Sequence, residues 1–526
     1  MIQENSFSSH KRYWLWGGLV FLGIFWWFGY DGITFSDDVI YLKTGQDFWE
    51  GKPLDSTHHF SSRIGSFIFS GLFTYLFGFS DRMGSIASLV SYVLILLGTY
   101  RLVSANYFPW VTLFLCTHVF FLHFLTKVYP DSLLALWVFL IPFAASYRHR
   151  FPIVSAFVLI VALFMGFLTK ETIIFLFPFP LILVWIDWKS KQLGRFHVSL
   201  LGFGLLFSIA YLGYFWLNYG NAFYRIQAVH EGHYISEYTF FDKERTVLLW
   251  RISFGPLVTL VERSYWLWLV LAIPGIFRGL KGYERVTTEF AIASMCLLVG
   301  FWWMSTSLEY YNPIHLNPRH LIIFIPILAI LIGLGFQCWL HSSNVRNMAV
   351  GLIFLGALIA VTVGDYKQAA FLGAFAFVLV CSTFVTTKQL FLAFSLLLLI
   401  PVFLSVRYQE RLKGYDQFMN TFNAVLDEKT DFVVVNNFVH FSKEVLLPYQ
   451  QEKQLRLLAV EDLEAFKNAS PERFTWLNYK YYLHAYPKES PDLESFQRMI
   501  QELPYELINE SSNSFVEVLE FRRKNQ

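Results

Sequence analysis

Residues 35–63 read FSDDVIYLKTGQDFWEGKPLDSTHHFSSR, a polar island between apolar stretches. The island opens on adjacent acids, Asp37 and Asp38, runs through Gln46, Asp47, Glu50 and Lys52, and closes on His58, His59 and Arg63. An apolar segment at 13–30 precedes it, the run 64–79 follows it, and out to residue 406 the chain is mostly apolar. Acids and imidazoles beside so much lipid-soluble sequence carry a desolvation cost, so the island is the candidate site. The competing reading is a solvated loop with ordinary surface charges.

Composition supports the membrane setting. Of 526 residues, 55% are hydrophobic and only 15% charged, whereas an ordinary soluble domain carries roughly 25% charge. The chain therefore reads as an integral membrane protein. A net charge of +2 gives no sign of a nucleic-acid partner. Cys116, Cys296, Cys338 and Cys381 all sit in apolar segments without metal-ligand spacing and read as small buried hydrophobes. The first apolar segment has no small-residue cleavage site behind it and reads as a retained anchor.

A helix needs about 20 apolar residues to cross the hydrocarbon. Candidate spans fall near 13–30, 83–103, 108–128, 131–147, 152–169, 172–187, 198–217, 257–277, 289–307, 321–340, 347–364, 369–386 and 389–406, the eighth interrupted by Glu262 and Arg263. The run 64–79 is decided by basic residues. If it lies in the interface or re-enters, the clusters at Lys11 and Arg12, 148–150, 189–195, 278–285 and Arg346 all become cytoplasmic. That choice gives about 13 spans, with the N-terminus inside. The loop 31–82, Asp131, Lys170, Glu171, residues 218–251 and residues 305–320 then share the external face. Beyond residue 406 the sequence turns charge-rich. Residues 415–426 have the pattern of an amphipathic helix, and 431–438 and 514–521 that of strands. The expected organisation is a transmembrane domain at 1–406 and a small external α/β domain at 407–526.

Each candidate residue has a chemical and a structural reading. Asp37 or Asp38 could take a proton as general base, or could open a short interfacial helix. Asp131 in VYPDSLLALW could serve the same chemistry or start the next helix. Lys170 and Glu171, between two apolar runs, suit a phosphate and its orienting acid, against simple snorkelling of the lysine. Arg319 and His320 at the mouth of a later span suit an anionic head group, against interfacial anchoring. His58 and His59 could ligate a metal, though adjacent side chains point apart. No cofactor is required by these residues; a divalent metal, if one takes part, has His59 and Glu171 as candidate ligands. His118 and His123 read as packed within a span, and Lys127 as snorkelling. Two short matches to the N-glycosylation pattern, at Asn468 and Asn509, are of a length that chance supplies.

In order and spacing, these segments resemble the membrane glycosyltransferases of the GT-C fold. The likeness rests on the acidic pair, YLKTGQDFWEGKPLD, HFSSRIG and LFTYLFGFSDR, followed by VYPDSLLALW, FLTKETIIFLFP and NPRHLIIFIP. It covers about residues 10–330 and points to the protein-mannosyltransferase-like bacterial branch that includes the aminoarabinose transferase of lipid A. The resemblance implies an all-α polytopic membrane protein that transfers a sugar, with inversion, from a polyprenyl-phosphate carrier to a lipid, glycan or protein acceptor. It implies an external active site on a bacterial plasma membrane. Asp37 would be the base, with Asp38 its partner and Asp131 on the acceptor side. Lys170 and Arg319 would bind the carrier phosphate, and His59 with Arg63 would line the cavity. One departure is Asp38, where relatives often carry Glu, which shortens its reach.

The physics of the reaction agrees. A lipid-phosphate leaving group needs cations, and inversion needs a single base on the opposite face of the sugar. The competing functions are a flippase or transporter for lipid-linked sugars and a polysaccharide polymerase. Transporters usually place ionisable groups near mid-membrane, and here the charges lie at the ends of the spans.

Overall fold

A helix occupies each of the thirteen apolar segments in the computed structural model, which describes residues 11–54, 59–232, 239–282, 284–307, 309–428 and 431–524. Among the described residues, eight helices are long and apolar enough to cross a membrane, or ten if each of two bent pairs is one span. The protein is integral to a membrane, and the expected thirteen spans are not all full-length helices. Pro130–Ser146 and Tyr366–Cys381 are apolar but shorter.

Two of the expected spans are broken, for visible reasons. The segment 108–128 divides into Phe108–Leu115 and Val119–Leu125 at a 70° bend. There the Thr117 hydroxyl bonds back to the Leu113 carbonyl and the His118 ring caps the new helix by accepting from the Phe121 amide. The segment with Glu262 and Arg263 divides into Gly255–Glu262 and Trp266–Leu280 at 110°. Its corner residue, Ser264, is left-handed with φ +63°.

The polar island folds into helices too. α1 is Lys11–Phe28, α2 is Asp37–Trp49, and α3, the apolar run expected to lie in the interface or re-enter, is Ile64–Phe77. α2 and α3 cross at glycines: a Cβ on Gly45 would lie 2.8 Å from the Phe67 carbonyl oxygen and 2.9 Å from the Gly71 Cα. Any side chain there would push the pair apart.

The last membrane helix, Thr387–Lys413, runs past residue 406 into the C-terminal domain and ends at Gly414, in the left-handed conformation. The amphipathic helix Tyr415–Asp427 follows. Five strands then form one sheet: β1 Phe432–Val435, β2 Leu457–Ala459, β3 Arg473–Tyr479, β4 Tyr505–Ser512 and β5 Val516–Arg523, in the order β2-β1-β3-β5-β4. β1 is parallel to β2 and β3, while β5 runs antiparallel to β3 and β4. The two faces of this sheet have different partners. One packs Val434, Phe474 and Trp476 against Phe466 and the helix carrying Phe496. The other places Val433, Val435, Leu477 and Tyr479 in a core shared with Ile33, Phe35, Val39, Leu42 and Phe67. One face of the sheet is thus completed by residues in and next to the polar island.

Candidate functional site

Acids and bases far apart in sequence meet in this fold at one end of the helix bundle. Asp37 begins α2 and accepts from Arg319 Nη1 at 2.8 Å. Arg319 sits in the short helix Pro318–Leu321, capped by Asn317, and its guanidinium lies 5.2 Å from the centre of the Tyr129 ring. Asp131, in the first turn of Pro130–Ser146, accepts from Lys170 Nζ at 2.7 Å, and both side chains are buried. The cap position of that helix belongs to Tyr129, so the carboxylate of Asp131 is turned to the lysine.

Glu171, next to Lys170, holds two arginines. Arg63 grips both carboxylate oxygens, at 3.2 and 2.8 Å, and donates to the Tyr41 hydroxyl at 3.2 Å. Arg225 adds a third bond at 2.9 Å and stacks over Phe167. The directly paired set is therefore Asp37, Asp131 and Glu171 against Arg319, Lys170, Arg63 and Arg225. Among the described residues, these direct pairs set four cations against three acids, with Asp38 outside them. Burial pushes the Asp37 carboxyl up, but Arg319 beside it, reinforced by Lys170 and Arg63, holds it below the usual carboxylate range.

Asp38 sits elsewhere and does something different. It is 2% exposed and accepts from the Thr34 amide at 2.6 Å, the Thr34 hydroxyl at 2.7 Å and the Ser36 amide at 3.0 Å. Its oxygens tie the turn leading into α2, while those of its neighbour Asp37 face Arg319. His59 opens the short turn His59–Ser62 with its ring against Phe60. His320 turns to the His315 carbonyl at 3.1 Å. His58 lies outside the described residues. Among the described residues no three His, Cys, Asp or Glu side chains group as a metal site. Glu171, one of the two metal candidates, already carries two guanidiniums.

Arg225 and Tyr41 join the site without a signal in the sequence strong enough to single them out. Arg225 belongs to the loop 218–251, which a sequence reading marks only as external; its one local signal is a lone arginine among aromatics in FYRIQ. Lys127, expected from its sequence position to snorkel, does not. It is buried and paired with Asp31, and it also donates to the Gly32 carbonyl.

These features define a polytopic membrane protein with a charged, cation-rich site at one end of its bundle and a sheet domain seated over it. ArnT from Cupriavidus metallidurans has this fold. Its structure bound to undecaprenyl phosphate matches with a TM-score of 0.59 at 13% identity, over 96% of this chain and 98% of that one. Its apo structure matches with 0.56 at 14% identity, over 96% and 97%. The expected fold class, an all-α GT-C membrane protein with a small C-terminal α/β domain, is the one observed. No protein-family model matches the sequence, and no curated protein does.

Proposed function

We propose that this protein is an inverting glycosyltransferase that moves a sugar from a polyprenyl-phosphate carrier to an acceptor hydroxyl or amine. One observation carries the reading: four buried or half-buried cations meet three carboxylates at one end of the bundle. Such a site is short of one negative charge, which a carrier phosphate supplies. The likeness to ArnT bound to undecaprenyl phosphate supports the same carrier.

In this mechanism the acceptor's lone pair attacks the anomeric carbon from the face opposite the phosphate. Its proton passes to Asp37, and the bond between the anomeric carbon and the phosphate oxygen breaks with its electron pair on the phosphate. Lys170 and Arg319 stabilise the charge that develops there. Arg319 has two roles in sequence. Before the donor binds it holds Asp37 in its weakly basic state. When the phosphate takes Arg319, that hold weakens and Asp37 becomes a better base. Glu171 fixes Arg63 and Arg225 along the cavity, and Asp131 holds Lys170 in place for the phosphate. The site and residues 407–526 face the outside of a bacterial plasma membrane in this reading, with 1–406 as the transferase domain. The acceptor is a lipid, glycan or protein.

Membranes carrying the protein should transfer label from one member of a panel of radiolabelled polyprenyl-phosphate sugars. Asp37→Asn should lower that transfer by roughly 10²–10⁴, the usual contribution of a general base. Transfer that survives the substitution would remove Asp37 from the base role. Movement of the intact lipid-linked sugar without transfer would identify a flippase.

A further inference from the structure

The chain enters α2 through residues 31–36, and every carbonyl from Gly32 to Ser36 faces a donor, with Thr34 and Phe35 sharing one. Gly32 receives Lys127 Nζ, and Ile33 receives Lys413 Nζ. Thr34 and Phe35 both receive the Tyr486 hydroxyl, at 2.6 and 3.0 Å, and Ser36 receives the Val39 amide at 3.0 Å. Three of the five are held from the C-terminal side of the chain, by the end of the last membrane helix or by the sheet domain. Phe35 is the only non-glycine residue of this segment with positive φ, at +59°. That conformation is unfavourable for a bulky side chain and persists where surroundings over-determine it.

Its surroundings do. The Phe35 ring is 1% exposed and sits among Tyr415, Phe418, Phe438, Tyr479 and Tyr481, with centroids 5.1 to 6.4 Å away. Tyr486 is itself stacked on Phe438 at 4.5 Å. Gly32 passes so close to the Tyr415 ring that a Cβ would overlap it, and its φ of +79° suits glycine alone. From the membrane side, Asp38 ties Thr34 and Ser36, and the Thr34 hydroxyl meets the Tyr129 hydroxyl at 2.7 Å. Tyr129 is the ring on which Arg319 rests. The segment is gripped from both sides two residues before Asp37.

We infer that the C-terminal domain is a clamp that positions Asp37 for catalysis, with Phe35 and Tyr486 as its positioning residues. The inference rests on the proposed transferase reading. A general base must sit within hydrogen-bond reach of the proton it takes, and a misplacement of about 1 Å can cost roughly a hundredfold in rate. Neither Phe35 nor Tyr486 touches the phosphate-binding cations, so the clamp acts on turnover and leaves donor affinity alone.

The test uses the full-length protein in detergent or vesicles, with the polyprenyl-phosphate sugar that the wild type accepts. Tyr486→Phe keeps the stack on Phe438 and removes only the hydroxyl; Phe35→Ala empties the cage. Expected is a kcat loss of roughly tenfold for Tyr486→Phe and roughly a hundredfold for Phe35→Ala, with donor KM within about twofold of wild type. The acid limb of the pH profile should move in both, because Asp37 shifts against Arg319. Unchanged kcat in folded Tyr486→Phe and Phe35→Ala would overturn the clamp. So would a rate loss that follows thermal stability, or that appears in KM. If wild type and Asp37→Asn are equally inactive with every donor, the transferase reading itself falls and takes the clamp with it; active wild type with intact variants removes the clamp alone.

Discussion

The helix Pro130–Ser146 has a buried ion cluster at each end, and the two are built on opposite plans. At its start, Asp131 belongs to the set in which four cations meet three acids. Just past its end, Arg148 stands between two acids. Its Nε and Nη2 bond Asp187 at 2.8 and 2.9 Å, and Nη1 bonds Glu289 and the Ala145 carbonyl. His197 lies 3.1 Å from Asp187. Here every nitrogen of the guanidinium has an acceptor and the acids outnumber the arginine. Each end keeps buried polar atoms without a hydrogen bond, Asp131 Oδ2 and Arg319 Nε at the first and Glu289 Oε2 and His197 Nε2 at the second. A guanidinium fully bonded between two acids ties helices together, whereas cations in excess of their acids still have room for an anion. Burial of charge and unsatisfied polar atoms are common to both, so the sign of the charge balance is what separates a site from a lock.

The sharpest way to break this contrast is at the lock. Arg148→Leu leaves Asp187 and Glu289 buried without their guanidinium, and removing one partner of a buried pair costs about 3–5 kcal/mol. Thermal unfolding in detergent should show that loss, while the transfer rate per folded molecule stays at the wild-type value. A rate that fell with stability unchanged would make the second cluster functional. Arg225→Gln should do the reverse. A hydrogen bond to a charged group contributes about 1.5–3 kcal/mol, so donor KM should rise about tenfold or more with kcat little changed. An unaltered KM would place Arg225 with the structural residues.

The same contrast explains what the sequence could and could not tell. Asp37, Asp131, Lys170, Glu171 and Arg319 stand out because each interrupts or borders an apolar run, where a charge is conspicuous. Their pairing does not stand out: Asp37 and Arg319 are 282 positions apart. In sequence the residues around Arg148 look only like a cytoplasmic basic cluster, since counting positive charge treats each cation as exposed, and its acids lie inside spans on other helices. Asp38 was misleading for a local reason. Adjacent acids look alike in sequence, but on a helix start they point in different directions, one to Arg319 and one back to Thr34 and Ser36. The Phe35 cage was invisible because its five rings come from residues 415–481, and nothing local marks a phenylalanine as left-handed. Strands 431–438 and 514–521 were legible from alternation, but their use of the polar island to complete one face was not.

The smallest expected effect is also the most specific, because it follows Arg319 through the reaction. In the free protein Arg319 keeps Asp37 below the usual carboxylate range, outweighing burial. The base is charged above that pKa, so kcat/KM, which reports the free protein, should fall only as pH drops through the depressed value. In the donor complex the phosphate competes for Arg319, burial then dominates, and the carboxyl moves up. The acid limb of kcat should therefore lie at higher pH than that of kcat/KM. Arg319→Gln should raise the kcat/KM limb towards the kcat limb and leave the latter in place. Coincident limbs in the wild type would mean that Asp37 and Arg319 stay paired throughout turnover. A carboxylate held that way does not collect the acceptor's proton, and the base would then have to be sought at Asp131, whose second oxygen has no hydrogen bond.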